Sequence, residues 1–252
     1  MRLAVLGSAT PYPSPDNPCS GYLVSSGATT VWTDAGTGTL GPLQWHVPLA
    51  ELSAVWISHL HADHCADLLT AYYALLYADV RREAPLPLYA PPGVADRLAA
   101  FLTNTSVRSP VEDAFDIHEL YEGHRAEIGD LTLTSREVQH GMPAFAVRFE
   151  DGSGTLTYSG DTAPCANLVE LAKGTDLLLC EADGPSGGAR VHHTPEDAGS
   201  TAHAAGAARL VVTHVSRALP PERAVALAAS RYAGEVTHAD PGRVMAVTSS
   251  AG

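Results

Sequence analysis

Residues 57–67 read ISHLHADHCAD, with three histidines and two aspartates in eleven positions. No other stretch constrains the chain as strongly. It continues "SAVWISH" (53–59), an apolar run of buried-strand type, and leads into "ADLLTAYYALLYADVRR" (66–82), whose apolar residues recur at helical spacing. In an extended segment residues i and i+2 project to one side, so His59 and His61 can reach one ion. Asp63 and His64 follow where the chain bends toward the helix, and they can face a second ion. Imidazole and carboxylate suit zinc, manganese or iron. A purely structural role, with Asp63 capping the helix, would account for one of these four residues and leave three clustered histidines unexplained.

A metal site needs ligands from elsewhere, and three later strand ends offer them. His140 ends "LTLTSREVQH", Asp161 ends "TLTYSGD" and His214 ends "ARLVVTH". Each follows an apolar run that would carry it to the rim of a sheet. Two sites result: His59, His61 and His140 on one metal, and Asp63, His64 and His214 on the other, with Asp161 bridging them. "RLAVLG" (2–7), "GYLVSS" (21–26) and "TTVWTDAG" (29–36) read as early strands separated by Gly, Pro and Ser. The last third alternates helix and strand. Antiparallel strands early and alternation late predict two sheets with helices outside them. No repeat or linker divides the chain, so 1–252 reads as a single domain.

The formal net charge of −13 makes the chain a poor candidate for gripping long nucleic acid, which needs clustered Lys and Arg. Cys19, Cys65, Cys165 and Cys180 are too widely spaced for a disulfide framework. With no signal-peptide core and no membrane-length apolar run, the expectation is a soluble, cytoplasmic protein.

"HLHADH" matches the H-x-H-x-D-H signature of the metallo-β-lactamase superfamily. "VQHGMPAFAVRF", "YSGDT" and "VVTHVS" are similar to its later ligand motifs in order and approximate spacing. The resemblance runs from Met1 to about Ala246 and takes in "LGSATPYPSPDNPCSGYLV" and "TDAGTGTL", with Asp34 at a strand end. It implies an α/β fold, a four-layer αββα sandwich, with a dinuclear site between the edges of two sheets. Zinc is the first expectation for the two divalent ions, with manganese and iron as alternatives.

Within the superfamily the chain most resembles the phosphodiesterase branch that includes tRNA 3′-processing endonucleases and a bacterial cyclic-nucleotide phosphodiesterase. That branch sets a Glu after a late strand and a His in the next loop beside the metals. Here "LLLCEAD" supplies Glu181 and "RVHHTPEDAG" supplies His192, with His193 as the competing choice. Thr194 capping the following helix, with both histidines on the surface, is the plainer alternative. The branch commonly has Thr two positions after this Glu, where this chain has Asp183. The implied chemistry is attack by a metal-bridging hydroxide, with Asp63, His192 and Glu181 assisting. A small phosphodiester such as a cyclic nucleotide is the expected substrate. The alternatives are an ester, lactone or thioester hydrolase, then a tRNA endonuclease, then a non-catalytic binding scaffold. The departure at Asp183 and the segment "GPSGGARVHH" are where a different substrate would be accommodated. Cys65 reads as packing behind the metal, and Tyr72, Tyr73 and Tyr77 as core, pocket wall or dimer contact. Homodimers are common in the branch.

Overall fold

The computed structural model describes residues 1–183 and 191–249. Strands β1 (Arg2–Gly7), β2 (Gly21–Ser26) and β3 (Thr29–Ala35) form an antiparallel meander. After α1 (Leu40–Leu43), a 3-10 turn at Leu49–Glu51 and β4 (Ala54–Trp56), the histidine-rich segment enters α2 (Ala62–Cys65) and α3 (Asp67–Tyr77). Then come β5 (Leu86–Ala90), α4 (Val94–Leu102), α5 (Val111–Ala114) and β6 (Phe115–Glu119). The second half opens with antiparallel β7 (Arg125–Ile128), β8 (Leu131–Glu137), β9 (Phe145–Asp151) and β10 (Gly154–Tyr158). It continues with α6 (Ala166–Leu171), β11 (Leu177–Ala182), α7 (Pro195–Ala205), β12 (Arg209–Val215), α8 (Pro221–Ala229) and β13 (Glu235–His238). Finally β14 (Val244–Ala246) pairs with β1.

The strands make two seven-stranded sheets, in the orders β14-β1-β2-β3-β4-β5-β6 and β13-β12-β11-β10-β9-β8-β7. Period-2 alternation explains how they stack. Leu3 and Val5 of β1 face a core shared with Phe149 and Leu156, whereas Ala4 and Leu6 face one shared with Leu68 and Tyr72 of α3. On β11, Leu177 and Leu179 join the inter-sheet core while Leu178 and Cys180 meet Ala198 and Ala202 of α7. Three apolar layers between four structural layers give the αββα sandwich. Among the described residues, no helix is long and apolar enough to cross a membrane.

The helix expected over 66–82 ends earlier, at Tyr77, with Ala78 already outside helical backbone geometry. Arg82 is drawn away to the 3-10 turn, where its guanidinium donates to the carbonyls of Ala50 (2.7 Å) and Leu52 (2.9 Å). Asp63 caps no helix: α3 begins without a side-chain cap, and Asp63 sits inside α2. In "GPSGGARVHH", residues 184–190 lie outside the described residues.

At the end of the sandwich remote from the histidines, Asp151 joins the sheets. Ser26, closing β2, donates to its Oδ2 at 2.6 Å, and Ser153 donates backbone N–H and hydroxyl to Oδ1, each at 2.7 Å. Burial alone would raise the carboxyl, but these hydrogen bonds outweigh it and hold Asp151 well below the usual range. A depressed carboxyl stabilises the fold above its unfolded pKa of about 3.9 and loses that contribution as pH falls through the folded value. Asp151→Asn is therefore expected to cost about 1–3 kcal/mol near neutrality. The gap should narrow as pH falls below about 4, and urea titrations at several pH values measure it.

Candidate metal centre

The site forms where the two sheets present their edges to one cleft. β4 stops at Trp56, and the next residues turn across the cleft instead of continuing the strand. Ser58 is fixed by Asp34, whose Oδ1 accepts the Ser58 backbone N–H at 2.7 Å. Asp34, next to last in β3, has a positive φ of 56°, and His214 near the end of β12 has φ 48°. Non-glycine residues rarely occupy this region, and its presence at two site positions marks backbone held by its surroundings. Close approach adds a glycine requirement: a Cβ on Gly36 would lie 2.0 Å from the Asp63 carbonyl oxygen.

Three imidazoles converge first. His59 Nε2 lies 2.9 Å from His61 Nδ1, and His140 Nε2 lies 3.3 Å from the same His61 atom. Outer partners fix two of these rings, with His59 Nδ1 3.0 Å from the Ser58 hydroxyl and His140 Nδ1–H donating to the Val191 carbonyl at 3.0 Å. Burial pushes all three below the ordinary imidazole value, which favours the neutral form a metal needs.

The second group adjoins it. His214 Nε2 is 3.4 Å from Asp63 Oδ2, and His64 Nε2 is 3.7 Å from the same oxygen. Asp161 spans both groups: its Oδ2 is 3.7 Å from His59 Nε2 and 3.4 Å from His214 Nε2, and its Oδ1 is 3.3 Å from His64 Nε2. His64 Nδ1–H donates to Asp34 Oδ2 at 2.7 Å, leaving Nε2 turned inward. Tyr158 also donates to Asp34 Oδ2, at 2.8 Å. Burial would raise Asp161, but His214 and His64 outweigh it and hold the carboxyl far below its usual range. This is an anion surrounded by imidazoles.

The fit to a cation rests on the donors themselves. His64 Nε2 and Asp161 Oδ1 are fully buried, have no hydrogen-bond partner among the described residues, and face each other. Buried polar atoms are normally satisfied, and an ion between them would satisfy both. Ligand atoms of His59, His61 and His140, of Asp63, His64 and His214, and of His59, His64 and Asp161 each fall within 4.8 Å of one another. The nitrogen and oxygen donors, oriented by outer carboxylate, hydroxyl and carbonyl partners, are those divalent transition metals take.

On the far side of Asp161, His192 Nδ1–H donates to Glu181, 3.1 Å from Oε2, and lies 3.8 Å from Asp161 Oδ2. Burial would lower His192, but Glu181 outweighs it and lifts the imidazole above its ordinary value; burial and the Asp161 charge lift Glu181 as well. His193 is wholly buried on the other side of the chain, donating Nδ1–H to the Thr162 carbonyl, with Nε2 3.0 Å from the Thr201 hydroxyl. The Thr194 cap is present too, as a capping box with Asp197 ahead of Pro195. The cap and the His192–Glu181 contact coexist, because Thr194 makes the one and His192 the other, while His193 between them turns into the core.

The structure therefore brings His59, His61, Asp63, His64, His140, Asp161, Glu181, His192 and His214 to one cleft. Asp34 is the functional position that sequence reasoning left without a role; its signal was its place at the end of an apolar strand. Cys65 is buried in the wall of an apolar cavity, its thiol pushed up to about 11 by burial, and so is unlike a thiolate ligand. Tyr72 belongs to the core, whereas Tyr73 and Tyr77 are exposed. Asp183 is half-buried, and its carbonyl accepts the Ser216 N–H.

Comparison with known proteins agrees with this geometry. The family described as "Beta-lactamase superfamily domain" matches residues 29–215. Uncharacterized protein Rv1339 of Mycobacterium tuberculosis is 36% identical over 244 residues, covering 94% of this chain and 88% of its own. Ribonuclease Z of the same organism is 29% identical over 267 residues, covering 94% of each chain. Among solved structures, the metallo-β-lactamase fold protein YhfI of Bacillus subtilis superposes with a TM-score of 0.85 at 26% identity, over 97% of this chain and 98% of that one. The short form of human tRNase Z, at 22% identity over 98% and 99%, shares the fold with a TM-score of 0.77.

Proposed function

This chain belongs to the metallo-β-lactamase superfamily of hydrolases, and from that premise we propose that it is a dinuclear-metal phosphodiesterase acting on a small substrate such as a cyclic nucleotide. The observation that carries this reading is the buried Glu181 carboxylate set against His192 Nδ1, with Asp161 near the same nitrogen. A relative named as a ribonuclease supports phosphoester chemistry.

In this reading His59, His61 and His140 would hold one divalent ion and Asp63, His64 and His214 the other, with Asp161 as a ligand available to either. Zinc is the first choice, and manganese or iron would accept the same donors. When bound, such a pair would supply Lewis-acid activation of water and would offset charge on the phosphoryl oxygens. The rest is done by the chain. Asp34, Ser58 and the Val191 carbonyl hold His64, His59 and His140 with their free nitrogens inward. Asp63, at the cleft, also orients the attacking water. His192, fixed through Nδ1 by Glu181, offers Nε2 to the substrate and delivers a proton to the leaving oxygen. A formal charge of −13 disfavours a long polyanion as substrate. The four free cysteines suit a reduced, cytoplasmic setting, and a homodimer is the assembly the resemblance suggests.

Asp183, standing where the branch commonly has Thr, favours one second reading: an ester, lactone or thioester hydrolase using the same centre. Elemental analysis joined to turnover of bis(p-nitrophenyl) phosphate, 3′,5′-cyclic AMP and a panel of esters and lactones separates the two. Two metals per chain with phosphodiester turnover is the expected result. Turnover of esters or lactones alone would move the function to the second reading, and a protein without stoichiometric metal would remove both.

A further inference from the structure

The loop joining β1 to β2 crosses the sheet edge that also carries the histidines. Gly7 pairs with Gly21, Gly21 with Ala35, and Ala9 bridges Cys19, so residues 8–20 lie beside the Asp34 end of β3. Opposite, the chain leaves β12 just after His214 through Ser216 and Arg217. Between the two loops is a cavity of about 360 Å³ with Val215, Leu219 and Pro220 as apolar surface and Ser8, Asn17 and Ser216 as polar edges. Arg217 lines it and lays its guanidinium over the ring of Tyr12, with Cζ 4.4 Å from the centroid. Tyr12 is 57% exposed, and Arg217, also exposed, has no carboxylate partner among the described residues.

An exposed cation–π pair adds little to stability, so its place beside the ligand His214 calls for another account. A guanidinium stacked on a phenol makes a flat, positively charged, π-rich layer. Nucleobases stack on aromatic rings and on guanidinium planes alike, and a partly apolar cavity with polar edges accepts a heterocycle with ring nitrogens. The local positive charge also offsets the repulsion that an acidic chain exerts on an anion. An acyl chain would gain nothing from the stacked pair.

We propose that Arg217, backed by the ring of Tyr12, forms the wall against which the base of a small nucleotide stacks, with the cavity lined by the loop that follows His214 as its seat. This rests on the phosphodiesterase reading of the metal centre. The test compares wild type with Tyr12→Leu and Arg217→Gln, all metal-loaded. Kinetics are measured on 3′,5′-cyclic AMP and on ethyl p-nitrophenyl phosphate, whose one ring is its leaving group. Calorimetry measures the affinity for adenosine 5′-monophosphate, and melting curves report the fold. Each substitution should lower the kcat/KM ratio of the cyclic nucleotide over the aryl ester about tenfold, chiefly through KM, and weaken nucleotide binding comparably. An unchanged ratio and affinity, with both substrates turned over by wild type, overturns the base seat and leaves the phosphodiesterase reading standing. Equal losses on both substrates with a lowered melting temperature make the pair a clasp between loops, which also overturns it. If wild type hydrolyses neither substrate, nucleotide binding that the variants lose supports the seat while the phosphodiesterase reading fails; no nucleotide binding removes both.

Discussion

Asp161→Ala is expected to fold and to be inactive, with at most one metal ion per chain against the two expected for the wild type. The argument is one of position. His59 and His214, which belong to different ligand groups, both lie within 3.7 Å of one Asp161 oxygen, and His64 faces the other oxygen at 3.3 Å. Among the described residues no other carboxylate makes ion-pair contacts in both groups, since those of Asp63 go to His64 and His214. Losing a partner that merely orients a metal ligand typically costs 10–100-fold in metal affinity or activity. Losing the ligand shared by two ions should cost more, at least about a thousandfold in kcat. The fold should survive, because Asp161 joins no apolar layer, so the melting temperature of the metal-free variant should stay close to that of metal-free wild type. Elemental analysis and phosphodiester turnover are the readouts. A variant retaining two metals and full turnover would falsify the shared-ligand role.

Much of this centre is legible in the sequence, though for reasons that differ from the geometry found. The i, i+2 argument treats His59 and His61 as strand neighbours presenting equivalent faces. In the structure β4 ends at Trp56, and the two rings meet through different nitrogens, Nε2 of His59 and Nδ1 of His61, as a turning loop requires. His140 likewise lies beyond β8, which ends at Glu137. Apolar runs locate the rim of a sheet well, because burial dictates them; how the chain leaves the rim depends on contacts with distant residues. Asp34 shows the limit. Its work is done on Ser58 and His64, 24 and 30 residues away, and no local period records such a pairing. The two histidines at 192 and 193 show another: only packing against Thr162 and Thr201 decides which one turns inward to the core and which meets Glu181. β7 and β14, four and three residues long, are too short for alternation to distinguish them from loop.

The second large effect concerns the proton on His192. Removing the ring in His192→Ala should leave metal content intact and lower kcat by about 10²–10⁴-fold, the usual range for loss of a positioned general acid. Glu181→Gln isolates the electrostatic part. The wild-type imidazole, held 3.1 Å from the Glu181 carboxylate, has its affinity for a proton raised above the ordinary value of about 6.5. A group with a raised pKa keeps its proton below that value and loses it as pH climbs through it. A reaction that needs His192 as acid should therefore hold its rate through neutrality and decline on the alkaline side. With the carboxylate replaced by an amide, burial remains and the attraction is gone, so the alkaline decline should move to lower pH. Leaving groups give the decisive contrast. p-Nitrophenolate departs without protonation, whereas the sugar alkoxide of a cyclic nucleotide does not, so both substitutions should harm cyclic AMP turnover far more than turnover of an aryl phosphodiester. An alkaline limb that stays fixed in Glu181→Gln, or equal losses on the two substrates, would leave His192 as a ring that shapes the cleft without moving a proton.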